Sequence, residues 1–133
     1  MSTLTLEASR VTLEFTRPST LTPGQARGWA SRELLKQGVP GPTVDRVAVA
    51  VSELVTNACL YGPSDSTVMV SVRLVSAGIE VAVHDFGSIP PERWNTSVDG
   101  EHGRGLSIVR AMALLFDVEM HSWGGKNVTA VIV

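Results

Sequence analysis

A chain of 133 residues, 44% hydrophobic and 18% charged, has the size of one folded domain and too much apolar content for a disordered chain, so a single domain over 1–133 is expected. The net charge of −2 and a pI near 5.9 lack the clustered Lys and Arg that nucleic acids attract, which argues against a direct nucleic-acid partner.

Residues 1–10 lack a charged start followed by an apolar run, so they do not read as a signal peptide; they are an extra strand or a flexible end. No stretch approaches the roughly 20 apolar residues that span a bilayer, and a cytoplasmic protein without a membrane partner is expected. Over 4–16, Val11, Leu13 and Phe15 alternate with polar residues, predicting an opening strand. Thr22 before Pro23 reads as an N-cap with proline at the first helical position, opening a helix that runs to Gln37 and stops at Gly38 and Pro40. Val44, Val47, Ala48, Val51, Leu54, Val55 and Ala58 recur at helical spacing over 41–61, and Gly62-Pro63 ends that second helix. Within it Cys59, the single cysteine, has no internal disulfide partner and reads as a small buried hydrophobe.

Residues 67–75 and 79–84 alternate as a hairpin of antiparallel strands around Ser76-Ala77-Gly78. Residues 85–102 lack a sustained period and read as a loop with one helical turn at 91–94. Leu106, Val109, Ala113 and Phe116 predict a third helix over 106–115, and 118–122 with 128–133 predict a closing hairpin around Gly124-Gly125-Lys126. This order does not alternate as a parallel nucleotide-binding fold does. It predicts an α+β, two-layer sandwich, with a mixed, mostly antiparallel sheet covered on one face by about three helices.

Three segments carry chemistry. In Ser52-Glu53-Leu54-Val55-Thr56-Asn57-Ala58, Glu53 and Asn57 share one helix face, a turn apart. A carboxylate and an amide oxygen so placed suit a hard cation with phosphates, or a nucleophile's proton; taken alone, the spacing equally describes two solvated surface groups. In His84-Asp85-Phe86-Gly87 an apolar strand runs into an acid that can accept a hydrogen bond from an amine, and into a glycine that lets backbone approach a flat ring; a simple turn uses the same residues. In Gly103-Arg104-Gly105-Leu106 a glycine turn enters a helix, where unpaired N–H groups and the helix dipole suit phosphate, or where the chain simply flexes. His84, His102 and His121 lack metal-ligand spacing; His102 beside the glycine turn is a minor candidate for phosphate contact.

All three segments in this order resemble the GHKL, or Bergerat-fold, ATPase superfamily, and within it the small anti-sigma-factor serine-kinase branch of free-standing actinobacterial regulators. The resemblance covers about 11–133. It implies ATP and Mg²⁺ as cofactors, Glu53 as general base, Asn57 as magnesium ligand, Asp85 on the adenine amino group, and Gly87 close to the adenine ring. It also implies Gly103, Arg104, Gly105 and Leu106 around the phosphates, and Arg104 and Arg93 as groups offsetting charge on the transferred phosphoryl. Gly124-Gly125-Lys126-Asn127-Val128 matches the family's G-G-K-x-V closing hairpin. Two positions depart from the pattern: Ile89 replaces the second glycine of D-x-G-x-G, and Asn127 stands where many relatives have threonine. Trp94 in the loop is a packing anchor or part of a partner surface. The implied activity is phosphorylation of a serine on an antagonist protein by a kinase that also binds a sigma factor, with a homodimer formed near the first strand and helix. The alternatives are a docking module that holds ATP without transferring phosphate, and a detached histidine-kinase catalytic domain.

Overall fold

The computed structural model describes residues 2–7, 10–63, 65–88 and 101–133, of which 2–7 and 101–105 are described by backbone alone. Among the described residues, nine elements follow in chain order: β1 Ser2–Glu7, β2 Arg10–Thr16, α1 Thr22–Lys36, α2 Gly41–Tyr61, β3 Thr67–Val75, β4 Gly78–Asp85, α3 Glu101–Met112, β5 Ala113–Met120 and β6 Lys126–Ile132.

The six strands form one sheet in the order β1-β2-β3-β4-β6-β5. Every ladder is antiparallel, which corrects the expectation of a mixed sheet. The pleat sends alternate residues to opposite faces, and the register stacks the apolar ones in rows. Leu13, Val70, Val83 and Val128 make one row, and Val11, Val72, Val81 and Ala130 the next. All eight are buried in the core with Val47, Val51, Leu54 and Val55 of α2 and Ala26, Ala30 and Leu34 of α1. The α2 helix crosses β3, β4 and β6 and touches both other helices, so its apolar stripe anchors the helical layer. The expected α+β two-layer arrangement is therefore present.

Several boundaries move. The opening strand is two, β1 and β2, paired from Ser2↔Phe15 to Glu7↔Arg10. Leu21, not Thr22, is the N-cap of α1; the Thr22 hydroxyl instead accepts the Ser19 N–H at 2.8 Å, closing the turn before the helix. The third helix begins at Glu101 and ends at Met112, so Gly103-Arg104-Gly105 lies within its first turns rather than in a turn ahead of it. Ala113 and Phe116 belong to β5, where Phe116 and Val118 face Ala130 and Val128 across the ladder. A period of two had mimicked helical spacing because Leu114 and Leu115, both exposed, interrupt the alternation at an irregular register between Ala113 and Leu115. The helical turn expected at 91–94, with Ile89, Arg93 and Trp94, lies outside the described residues. Among the described residues no helix is long and apolar enough to cross a membrane.

Candidate functional site

The strand order places β6 beside β4 although α3 and β5 separate them in the chain. Asp85, the last residue of β4, consequently stands opposite Lys126, the first of β6. Both occupy helix-facing positions, in phase with Val81 and Val83 on β4 and with Val128 and Ala130 on β6. Two glycines with positive φ, Gly124 at 100° and Gly125 at 92°, make the turn into β6, a conformation that disfavours residues bearing a Cβ. A Cβ on Gly125 would also lie 2.8 Å from the Asp85 carbonyl oxygen. The glycine is what lets β6 begin against the end of β4.

Lys126 is fully buried and Asp85 is 2% exposed. Asp85 Oδ1 accepts the Lys126 Nζ–H at 2.8 Å and the Gly87 backbone N–H at 2.6 Å. A buried ammonium loses several kcal/mol of hydration and is retained only where a partner of opposite charge stands against it. The carboxylate supplies that partner.

The end of α2 closes on the same carboxylate. A Cβ on Gly87 would sit 2.7 Å from the Tyr61 carbonyl oxygen and 2.8 Å from Asp85 Oδ1, and one on Gly62 would meet the Ala58 carbonyl oxygen at 2.6 Å. Gly62 and Gly87 therefore meet without side chains between them, leaving a backbone-walled floor beside Asp85. Cys59 lies half-buried near this floor; burial first, and then the Asp85 charge, push its thiol up to about 11. Further back on α2, Asn57 is 1% exposed and its Nδ2 is buried without a hydrogen-bond partner. Because rotation of an amide exchanges its nitrogen and oxygen, that position suits either a donor or an acceptor. Glu53, one turn earlier, is half-buried.

Of the residues singled out in the sequence, Asp85 and Gly87 are thus in contact, and Glu53 and Asn57 share the helix that ends against them. Gly103, Arg104 and Gly105 fall on the first turns of α3, which packs on α2; the side chains of His102 and Arg104 lie outside those described. Leu106 is half-buried and packs against the core.

Sequence reasoning missed Lys126 as a member of the site. Its signal was present: Lys126, Val128, Ala130 and Ile132 alternate along β6, so the lysine belongs to the apolar side of a period-two pattern. Gly62, read only as a helix stop, was missed as half of the floor. A third feature is an aromatic group around His84. The His121 and Trp123 rings stack at 4.5 Å, His84 lies 5.6 Å from His121, and Phe86 meets His84 edge-on at 4.8 Å. Burial, then His121 and Lys126, lower the His84 pKa below its ordinary 6.5, against the opposing pull of Asp85. Among the described residues no group of three or more His, Cys, Asp or Glu side chains could hold a metal ion alone.

A cavity of about 680 Å³ is lined by Pro18, Leu21, Pro23, Thr56, Cys59 and Leu60 among others, and includes neither Asp85 nor Asn57. Size alone does not locate the chemistry; the buried ion pair and the orphaned amide do.

Residues 17–132 match the family model described as a histidine kinase-like ATPase domain. Among solved structures, the SiaB-SiaC complex from Pseudomonas aeruginosa contains a chain similar in fold, with a TM-score of 0.59 at 14% identity, covering 90% of this chain and 88% of that one. The histidine kinase domain from Erythrobacter litoralis EL346 blue-light activated histidine kinase aligns with a TM-score of 0.49 at 22% identity, covering 83% of this chain and 64% of that one. No curated protein matches the chain at a significant level.

Proposed function

For this chain, which belongs to the histidine kinase-like ATPase domain family, we propose a regulator that binds ATP with Mg²⁺ and phosphorylates a serine of an antagonist protein, and that also binds a sigma factor. The observation that carries the nucleotide reading is the buried Asp85 carboxylate beside the glycine floor of Gly62 and Gly87. A carboxylate there accepts the exocyclic amine of adenine, and the missing Cβ atoms leave room for a flat ring.

The residues present also fit a metal and phosphates. The orphaned amide of Asn57 offers an oxygen ligand, and Mg²⁺ commonly takes one or two protein ligands and completes its shell with phosphates and water. When bound, the ion offsets charge on the phosphates. The first four N–H groups of α3, which include those of Gly103 and Arg104, have no intrahelical acceptors and suit an anion. Glu53 takes the proton of the partner's serine hydroxyl; that oxygen forms a bond to the γ-phosphorus as the bond to the ADP oxygen breaks. The SiaB-SiaC complex, in which a chain of this fold occurs together with another protein, supports the engagement of a partner protein.

Thermal-shift titration with ATP, ADP and GTP, each with and without magnesium, tests the pocket. ATP with magnesium at 100 times its Kd should stabilise the fold by about 2.7 kcal/mol, and no stabilisation by ATP would remove the nucleotide reading. With labelled ATP and a candidate antagonist, Glu53→Ala should abolish transfer while sparing nucleotide affinity, and Asn57→Ala should weaken the magnesium-dependent part of binding. Undiminished transfer by Glu53→Ala would remove Glu53 as base; ATP binding without any labelled antagonist would leave a docking module in place of a kinase.

A further inference from the structure

The sheet face turned away from the helices holds polar chemistry that the nucleotide reading does not use. In register across the strands it carries Thr12, Ser71, Ala82 and Thr129 in one row, and Met69, His84 and Asn127 in the next. Ala82 is the smallest side chain of these rows, and it lines a cavity of about 180 Å³ together with Arg10, Thr12, Ser71, His84 and Asn127. His84 and Ser71 are each only 8% exposed. Neither ring nitrogen of His84 has a hydrogen-bond partner, and the Nε of Arg10 is likewise buried without one. A buried nitrogen left unpaired is costly, and three of them on residues lining one cavity point to a ligand that pairs with them. The space equals about six water molecules at about 30 Å³ each, enough for an ion the size of acetate or phosphate.

The lining decides the sign of that ligand. It contains a guanidinium and no carboxylate, which disfavours a metal ion. Arg10, Thr12, Ser71, Asn127 and one nitrogen of a neutral His84 are all able to donate. Beside the cavity Glu80 pairs with Arg73 at 2.8 Å and with Arg10 at 3.4 Å, so one carboxylate faces two guanidinium groups and a positive charge is left over at that end. Glu14, Asp117 and Glu119 stand on the same face, in register with Met69, Thr129 and Asn127, but none of them lines the cavity. We propose that this cavity is a binding site for a small oxyanion, a phosphate or a carboxylate, held by Arg10, Ser71, His84 and Asn127. The inference is independent of the nucleotide reading, because the Asp85 site lies on the opposite face of the sheet. The Glu80 contact restrains the Arg10 side chain, which lowers the entropy cost of presenting it to a ligand.

The test titrates the full chain with sodium phosphate and, separately, with sodium acetate, at an ionic strength held constant with chloride. The readout is the His84 imidazole resonance, assigned by its loss in His84→Phe. At least one of the two anions should shift it saturably in the millimolar range, and the tighter of the two identifies the class. Loss of a charge-assisted hydrogen bond in Arg10→Gln should weaken that affinity by about ten-fold or more, and loss of a neutral one in Ser71→Ala by about five-fold. Ser71→Ala removes only a hydroxyl oxygen and decides the matter alone where Arg10→Gln fails to fold. No saturable His84 shift with either anion, or a shift whose midpoint is the same in the wild type and the folded variants, would overturn the inference and leave the nucleotide reading standing. A saturable shift in a chain that ATP does not stabilise would remove the nucleotide reading alone.

Discussion

At Asp85 one carboxylate governs three neighbours: it pairs with Lys126, accepts the Gly87 N–H and raises the Cys59 thiol. Removing one member of a buried pair leaves the other charge unpaired, so Lys126→Met and Asp85→Leu should each cost about 3–5 kcal/mol, and the double variant should recover much of that loss. Urea denaturation of the three variants measures the coupling; single losses that simply add would show that the pair is not a unit. The thiol gives an independent reading of the same charge. With the Cys59 pKa near 11, alkylation by iodoacetamide at pH 8 should run on the order of 100-fold slower than for a free cysteine, and Asp85→Asn should speed it up. A folded pKa raised above the unfolded one means that this thiol's contribution to stability is complete below about pH 9 and disappears as pH rises through about 11.

At the level of elements, the turn between β5 and β6 is the piece on which the site depends, and its two glycines should differ. A Cβ on Gly124 meets nothing within 4 Å, so Gly124→Ala pays only for the left-handed backbone, about 1–2 kcal/mol. Gly125→Ala adds a collision with the Asp85 carbonyl oxygen and should be distinctly less stable, with weaker ATP binding because the end of β4 that carries Asp85 is displaced. Equal melting temperatures for the two variants would remove the close approach as the reason for the second glycine. This turn also marks the limit of what sequence could convey. Strong periodicity made α1, α2, β3 and β4 readable nearly to the residue, and the acid and glycine at the end of β4 singled out Asp85 and Gly87, which the structure joins by a hydrogen bond. The border of α3 and β5 was not readable, because Ala113 and Phe116 satisfy helical spacing while pairing in a strand. Lys126 was missed for a different reason: the period-two pattern marks it as buried, but its pairing with Asp85 depends on β6 lying beside β4, a long-range choice that no local pattern encodes.

For the whole molecule, the sheet separates two chemistries. One face meets the helices through valine rows and ends at the Asp85–Lys126 pair. The opposite face carries Glu80 bound to Arg73 at 2.8 Å and to Arg10 at 3.4 Å, with His84 on the same side. Although His84 points away from the helices, it is 8% exposed, and neither ring nitrogen has a partner. The charges that reach it are those already named: His121 and Lys126 lower its pKa and Asp85 raises it, with burial the leading cause of the lowering. The sign follows directly. A histidine whose folded pKa lies below its unfolded value of 6.5 resists protonation in the native state, so stability is complete above that pH and falls as pH drops through the folded value. The slope is at most about 1.4 kcal/mol per pH unit, and less wherever solvent reaches the ring. Urea midpoints measured from pH 7.5 to 5.5 should therefore decline for the wild type, above the range in which most carboxylates titrate. His84→Phe keeps a flat ring against Phe86 and Trp123 and cannot take a proton, so its midpoint should decline less. Parallel declines would show that the His84 ring is not the source of the acid sensitivity. Lys126→Met should raise the His84 pKa by withdrawing a positive charge from beneath the strand, an effect that imidazole NMR resolves separately from stability and that links the two faces of the sheet through the first residue of β6.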